Sequence, residues 1–264
     1  MGIALGIDIG SAVSKGVALH PEGLLSSFDC PSGGHLRSTA EKVRTALLER
    51  AGIAATQNLR TVATGYGAKQ VYYADEVRPE VACLAKGISS LLPSVRTVID
   101  IGDLYTKVLH TDGKGGVTNF VLSGKCAGGS GRILQVMAKV LQVKVEEIGE
   151  LSLKSTRRVE FNTGCAVFAE SEAISRLSQE TKKEDLLAGL HRALAAQIQS
   201  LAERIGIEKD VALTGGGALD IGLVAAFREL WGEAILVPAN PNLVAALGAA
   251  LFAREGLGPS IESL

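Results

Sequence analysis

The chain has 264 residues, 47% of them hydrophobic and 4% aromatic, with 31 glycines and a formal net charge of −1. That length holds one large domain or two smaller ones with real cores, and the composition excludes a disordered chain. Charge so close to balance excludes a broad basic field for nucleic acid or an anionic membrane.

The opening "MGIALGIDIG" has no basic leader and meets Asp8 at once, so it reads as a buried strand and not as a signal peptide. No apolar run reaches membrane-spanning length. The expectation is a cytoplasmic protein.

In chain order, "ALGIDIG" is an apolar strand, "SAVS" a polar turn and "KGVALH" a second strand, which together predict a hairpin around Gly10. Residues 38–51, "STAEKVRTALLERA", predict an amphipathic helix with a Ser/Thr start. "LRTVATGYG" is a strand entering a glycine turn, and "EVACLAKGISSLL" is a helix. "SVRTVIDIGDLYTKVLHTDGKGGVTNFVLS" predicts a strand, hairpin and strand meander turning at "DGKGG". Helices follow at "GSGRILQVMAKVLQV", "AVFAESEAISRLSQ" and about 184–205. "DVALTGGGALDIGLVAAFREL" reads as strand, glycine loop and helix, and "EAILVPANPNLVAALGAALFARE" as strand, Pro/Asn loop and helix. With no linker in sight, the chain divides into an N-terminal half, 1–93, and a C-terminal half, 94–264, with the boundary near Leu92–Arg96. The last helix is free to pack back on the first half.

Each half opens with the same device. Asp8, Gly10, Ser14 and Lys15 recur at the same offsets as Asp100, Gly102, Thr106 and Lys107. A hairpin tip with a glycine offers backbone N–H groups to phosphate oxygens. The adjacent aspartate suits magnesium held through water, and Ser11, Ser14, Thr106 and the lysines add donors. One copy could be a strand ending at a turn; two copies at matched spacing point to a polyphosphate gripped from both sides of a cleft. A third glycine run, Gly215, Gly216 and Gly217, sits between an apolar strand and a helix, where it could meet a nucleoside or its α-phosphate. On its own it is a tight turn. "DGKGGVTN" lacks the spacing of a P-loop and reads as a hairpin turn.

Together these segments resemble the actin-like (ribonuclease H-like) ATPase fold of sugar kinases, heat-shock seventy chaperones and actin. Its usual order is phosphate loop one, connecting helix, phosphate loop two, adenosine loop, connecting helix. Residues 6–19, 80–92, 97–110, 211–230 and 240–253 take those places. The fold class expected is α/β, two similar halves with a nucleotide cleft between them.

Of the four cysteines, Cys30 and Cys83 read as buried, inert thiols. Cys126 and Cys165 each stand in a small-residue loop just before a helix, where the helix dipole lowers a thiol pKa and suits an anionic metal cluster. Two cysteines are too few for a cubane cluster, but a symmetric homodimer supplies twice as many. The inference is a [4Fe-4S] cluster shared across a two-fold axis. Read plainly, both are small buried hydrophobes, and that alternative stays open.

"KCAGGSGRILQVMA", "GCAVFAESE" and "TGYG" resemble motifs of the activator ATPases of 2-hydroxyacyl-CoA dehydratases, a family that takes in the ATPase subunits of benzoyl-CoA reductases and the reductases of double-cubane cluster proteins. The resemblance implies a homodimer, or related heterodimer, bridging one [4Fe-4S] cluster and using ATP to pass a low-potential electron to a partner iron–sulfur protein. It implies ferredoxin or flavodoxin as donor, ATP and Mg2+ in each subunit, and an anaerobic host. Asp8, Asp100 and Asp103 are the candidate catalytic residues, with Glu170 and Glu172 as candidate nucleoside contacts. The sequence departs from the family in one place. The second phosphate loop usually reads D-I-G-G-Q-D-[Ser]-K, and Asp103, Leu104 and Tyr105 stand here instead of Gly, Gln and Asp. Two other classes remain at this stage: a small-molecule kinase of the same fold with Asp103 as base, and a nucleotide sensor with little turnover.

Overall fold

The computed structural model describes residues 2–54, 59–124, 129–161, 166–232 and 235–257. In chain order the elements are β1 (Ile3–Ile9), β2 (Val13–His20), β3 (Gly23–Pro31), α1 (Leu36–Ala51), β4 (Leu59–Thr64), β5 (Glu76–Val77) and α2 (Glu80–Leu91). They continue with β6 (Thr97–Ile101), β7 (Thr106–Thr111), β8 (Val117–Leu122), α3 (Arg132–Leu141), α4 (Ile148–Ser152), α5 (Ala166–Ser178) and α6 (Lys183–Glu203). The last are β9 (Val211–Thr214), α7 (Ile221–Trp231), β10 (Ile235–Leu236) and α8 (Val244–Glu255).

Two compact units result, and neither is a single run of sequence. The first takes Met1–Pro93, Thr111–Val117 and Asn242–Leu264; the second takes Ser94–His110 and Thr118–Pro241. The tip between β7 and β8 belongs to the first unit, where Gly115 lies against the Lys86 side chain of α2. Helix α8 belongs there too, packed on α2, β1 and β4.

Each unit holds a five-stranded sheet, ordered β3-β2-β1-β4-β5 in the first and β10-β9-β6-β7-β8 in the second. Read from opposite ends, these are the same topology. An antiparallel pair, β1 with β2 or β6 with β7, carries the D-I-G turn. A parallel neighbour, β4 or β9, flanks it on the other side. This is the duplicated α/β layout of the actin-like ATPase fold.

Every residue of β1 is buried because both faces are covered. Leu5, Ile7 and Ile9 join Val43 and Leu47 of α1 in one apolar cluster, while Ala4 joins Ala246, Ala249 and Ala250 of α8 in another. The α8 face needs small residues. A β-carbon on Gly6 would collide with the backbone of Ala246 and Ala250, so α8 rides directly on the strand. In the second unit Ile99, Ile101 and Val108 pack with residues of α3, α6 and α7, including Met137, Leu190 and the buried Phe227.

The expected helices are present at 36–51, 80–91, 132–141, 166–178, 183–203, 221–231 and 244–255. Strand β3 was not expected. Its burial alternates irregularly and polar residues interrupt it, so pairing with β2 defines it where hydrophobic period does not. Helix α4 and strand β5 are too short to leave a period, while β10 falls within the strand expected at "EAILV". Among the described residues no helix is long and apolar enough to cross a membrane.

Candidate functional site

In the first hairpin Asp8 is the direct cross-strand neighbour of Lys15, and Ile9 of Ser14. In the second the same places are held by Asp100 and Lys107, and by Ile101 and Thr106. Lys15 Nζ donates to Asp8 Oδ2 at 3.1 Å and Lys107 Nζ to Asp100 Oδ2 at 2.9 Å. Both pairs are largely withdrawn from water, with side-chain exposures of 15% and 3% in the first and 10% and 7% in the second. Burying two charges is costly unless each has its partner, so a lysine opposite each aspartate is what lets a carboxylate sit under a strand end. Gly10 and Gly102 occupy matching places in the two turns; a β-carbon on either would press on a carbonyl three residues on, Val13 O or Tyr105 O.

The duplication extends further than the D-I-G motif. Thr64 pairs with Asp8 across β1 and β4, and Thr214 with Asp100 across β6 and β9. "TGYG" at 64–67 is thus the first-unit counterpart of "TGGG" at 214–217. Gly65 and Gly215 both have left-handed backbones, with φ of 88° and 82°, and only glycine adopts that without strain. A β-carbon at either would also collide with the Oδ1 of its aspartate and with the backbone oxygen of the isoleucine beside it. Gly67 and Gly217 lie against those same isoleucines, Ile9 and Ile101. Gly216 faces open space.

The two copies differ in the hydrogen bond that this threonine makes. Thr214 Oγ1 donates to Asp100 Oδ1 at 3.0 Å, whereas Thr64 Oγ1 donates to Arg78 O at 2.9 Å. Asp8 Oδ1 is consequently buried with no hydrogen-bond partner among the described residues, and Thr106 Oγ1 is in the same condition. Orphaned buried acceptors are rare. A carboxylate oxygen of this kind fits a cation-bound water or a phosphate-bound donor, so the residues present are compatible with a hydrated magnesium nucleotide.

Other expected positions have structural partners. The Ser14 hydroxyl is buried against Ser32 Oγ at 2.8 Å, and Ser32 Oγ donates to Gly10 O at 2.7 Å. Ser14 therefore braces the turn from behind, through a serine that the motif did not point out. Ser11 is half-buried at the turn itself. Both carboxylate oxygens of Asp103 are engaged, one by Arg132 and one by Gln135 at 3.2 Å. On α5, Glu172 is bound by the Arg176 guanidinium one helical turn on, at 2.6 and 3.0 Å, and Glu170 is half-buried.

Beside the first hairpin lies a groove of about 710 Å3, lined by Tyr66, Lys69, Arg78 and Glu80 among others. Its Gly65 and Gly67 are those that pack against Asp8 and Ile9. Glu80 opens α2 and was not singled out from sequence. The available signal was "TGYG", once its repetition as "TGGG" is recognised.

Cys30 and Cys83 are buried in the first unit. Burial raises the Cys30 thiol, and burial pushes Cys83 up to about 12. Neither is a thiolate available to metal. Cys126 and Cys165 lie outside the described residues. The helices that follow them, α3 and α5, pack on one another in the second unit. Among the described residues no three His, Cys, Asp or Glu side chains cluster as a metal site.

Twin sheets of one topology, each presenting a buried Asp–Lys pair at a glycine turn, define a nucleotide-binding ATPase of the actin-like fold. The sequence model of the BadF/BadG/BcrA/BcrD ATPase family matches residues 5–253, and the chain belongs to that family. It is 42% identical over 252 residues to the (R)-2-hydroxyglutaryl-CoA dehydratase activating ATPase of Acidaminococcus fermentans, covering 95% of this chain and 96% of that protein. The crystal structure of component A of that organism's dehydratase superposes with a TM-score of 0.93 at 40% identity, covering 98% of this chain and 100% of that one. The activator of the 2-hydroxyisocaproyl-CoA dehydratase from Clostridium difficile, solved with bound ADPNP, gives a TM-score of 0.90 at 39% identity, covering 98% and 99%.

Proposed function

We propose that this protein is an ATP-dependent one-electron donor, the activator of a 2-hydroxyacyl-CoA dehydratase or of a related double-cubane protein. The carrying observation is that both D-I-G hairpins are built in full, each with its own buried Asp–Lys pair in the same register. The family likeness along nearly the whole chain, and relatives named as dehydratase activators, support the same reading.

In this reading each hairpin takes part in binding ATP. The backbone N–H groups of the Gly10 and Gly102 turns take phosphate oxygens, Lys15 and Lys107 balance charge, and Asp8 with its spare oxygen holds magnesium through water. Gly216, unobstructed, admits the nucleoside end. Cys126 and Cys165 of two copies would hold a [4Fe-4S] cluster, which when bound stores and releases one electron at low potential. The helices α3 and α5 join those cysteines to the body of the second unit. The protein is then a cytoplasmic homodimer in an anaerobic host, reduced by ferredoxin or flavodoxin.

Anaerobic purification tests this. The expected product is a brown dimer with about four irons, binding ADPNP. Cys126→Ala and Cys165→Ala lose the iron and keep nucleotide binding, while Cys30→Ala and Cys83→Ala keep both. Full iron in Cys126→Ala refutes the ligand assignment; a colourless monomer that phosphorylates a metabolite returns the chain to the kinases.

A further inference from the structure

Strand β8 ends at Leu122 and α3 begins at Arg132, with Cys126 between them in the sequence. On both sides of residues 125–128 the chain is fastened to one short segment, the turn 102–106 of the second hairpin. On the incoming side Ser123 makes two bonds to Thr106. Its backbone N–H donates to Thr106 O at 2.9 Å, and its hydroxyl accepts the Thr106 N–H at 3.0 Å. On the outgoing side Gly131 N–H donates to Gly102 O at 2.8 Å.

Asp103 completes the arrangement with its side chain. Its Oδ2 takes the Arg132 guanidinium and its Oδ1 takes the Gln135 amide at 3.2 Å. Arg132 and Gln135 are three residues apart and so share a face of α3. One carboxylate at the phosphate turn thus holds two successive positions of the helix behind Cys126. The carboxylate is 9% exposed and the arginine 46%.

The place in the first hairpin that matches Asp103 is Ser11, which carries no charge. The clasp is a property of this chain's second half. It is also too exposed on the arginine side to be a large source of stability, since ion pairs open to water contribute little. What it does is make the turn and the start of α3 move as one body, and a packed helix with charged ties to a ligand loop is the kind of element through which two sites are coupled.

We infer that Asp103 is a positioning residue, acting through Arg132 and Gln135, which transmits the nucleotide state of the second phosphate turn to α3. This rests on the ATP reading given above. It moves Asp103 from the role of catalytic base to that of a link, consistent with both its oxygens being engaged.

Hydrogen exchange on the anaerobically purified full-length protein, with and without ADPNP, separates the possibilities. In the wild type, ADPNP slows exchange over 102–108 and shifts it over 132–141. In Arg132→Gln the first effect stays and the second falls about tenfold, a typical coupling between sites. Arg132→Lys, which keeps the charge and loses the fork, recovers part of it. Gln135→Ala gives a smaller loss in the same direction. The thermal midpoint of Arg132→Gln moves by less than about 3 °C. The inference is overturned if 132–141 responds in Arg132→Gln as in the wild type, or if both effects vanish together. If ADPNP does not protect 102–108 even in the wild type, the ATP reading fails first and takes this inference with it.

Discussion

Thr64 stands beside Asp8 in the β1–β4 pair, yet its hydroxyl donates to Arg78 O at 2.9 Å and leaves Asp8 Oδ1 without a hydrogen-bond partner among the described residues. Its counterpart Thr214 donates to Asp100 Oδ1 at 3.0 Å. Two carboxylates from one repeated motif therefore differ in what they can still accept. Asp8 has an oxygen to offer a metal-bound water; Asp100 has both oxygens in use, one on Lys107 and one on Thr214.

The expected consequence is an unequal pair of variants. Asp8→Asn should weaken ADPNP binding about tenfold or more in magnesium and leave it little changed in EDTA, because its loss falls on the metal. Asp100→Asn should weaken binding alike in both media, and both variants should lower the thermal midpoint, since each leaves a lysine buried without its counter-charge. Titration calorimetry of the two variants with and without magnesium checks this. Equal magnesium dependence in both would refute the assignment.

Much of this was legible because it is local. Asp8, Gly10, Lys15 and their second-half counterparts lie within one turn of one another, so spacing alone brings them together. The pairing of Thr64 with Asp8 is not local: it arises only when β4 is laid parallel to β1, and no period in "LRTVATGYG" says which strand it will join. The Ser14–Ser32–Gly10 brace was hidden for the same reason, because β3 brings Ser32 back from 18 residues away. The surroundings of Asp103 were hidden in another way. A carboxylate in a phosphate loop suggests a base, and only the placement of α3 reveals that Arg132 and Gln135 take up both its oxygens.

Helix α8 bears a second consequence of close packing. A β-carbon on Gly248 would run into the carbonyl of Cys83 in α2, and one on Gly87 of α2 would run into Val244 O of α8. The two helices meet backbone to backbone, with no flexible side chain that can give way. Gly248→Ala, normally favoured in a helix by about 1 kcal/mol, is here expected to destabilise by about 2 kcal/mol or more, as overpacking does. Urea unfolding of the variant measures it; a stabilised variant would show that α2 and α8 sit farther apart.

A buried chain of polar groups in the second unit sets a pH limit. His191 joins Ser152 at 3.0 Å to Asp220 at 3.1 Å, and the other oxygen of Asp220 caps α7 by accepting the Gly222 and Leu223 N–H groups. Burial alone would raise the Asp220 carboxyl, but the hydrogen bond and charge of His191 and the two backbone donors outweigh it, and the net shift is downward. A depressed folded-state pKa stabilises the fold above the ordinary carboxylate value, and that contribution is lost as pH falls through the folded value. The urea midpoint should therefore fall more steeply below about pH 5, and on down through the lowered folded value, in the wild type than in Asp220→Asn, which keeps a capping oxygen but does not titrate. Parallel curves would show that Asp220 is not part of the acid limit.

The remaining prediction concerns turnover. By the resemblance drawn from the sequence, Leu104 and Tyr105 take the places of a Gln and an Asp, residue types able to orient water and metal. Both are half-buried, and what Tyr105 gives the turn is its backbone, whose carbonyl accepts the Gly102 N–H at 3.0 Å. Changing the two side chains should therefore leave the turn, and the Gly131 bond to Gly102, intact. Leu104→Gln with Tyr105→Asp is expected to raise ATP hydrolysis by about 100-fold, the scale on which a single well-placed polar group acts in a transition state, with ADPNP affinity changed far less. Phosphate release under single-turnover conditions reads the chemical step directly. No increase would mean that the slow step lies elsewhere, and that the Asp103 clasp, which the double variant retains, holds the turn in one state whatever side chains face the nucleotide.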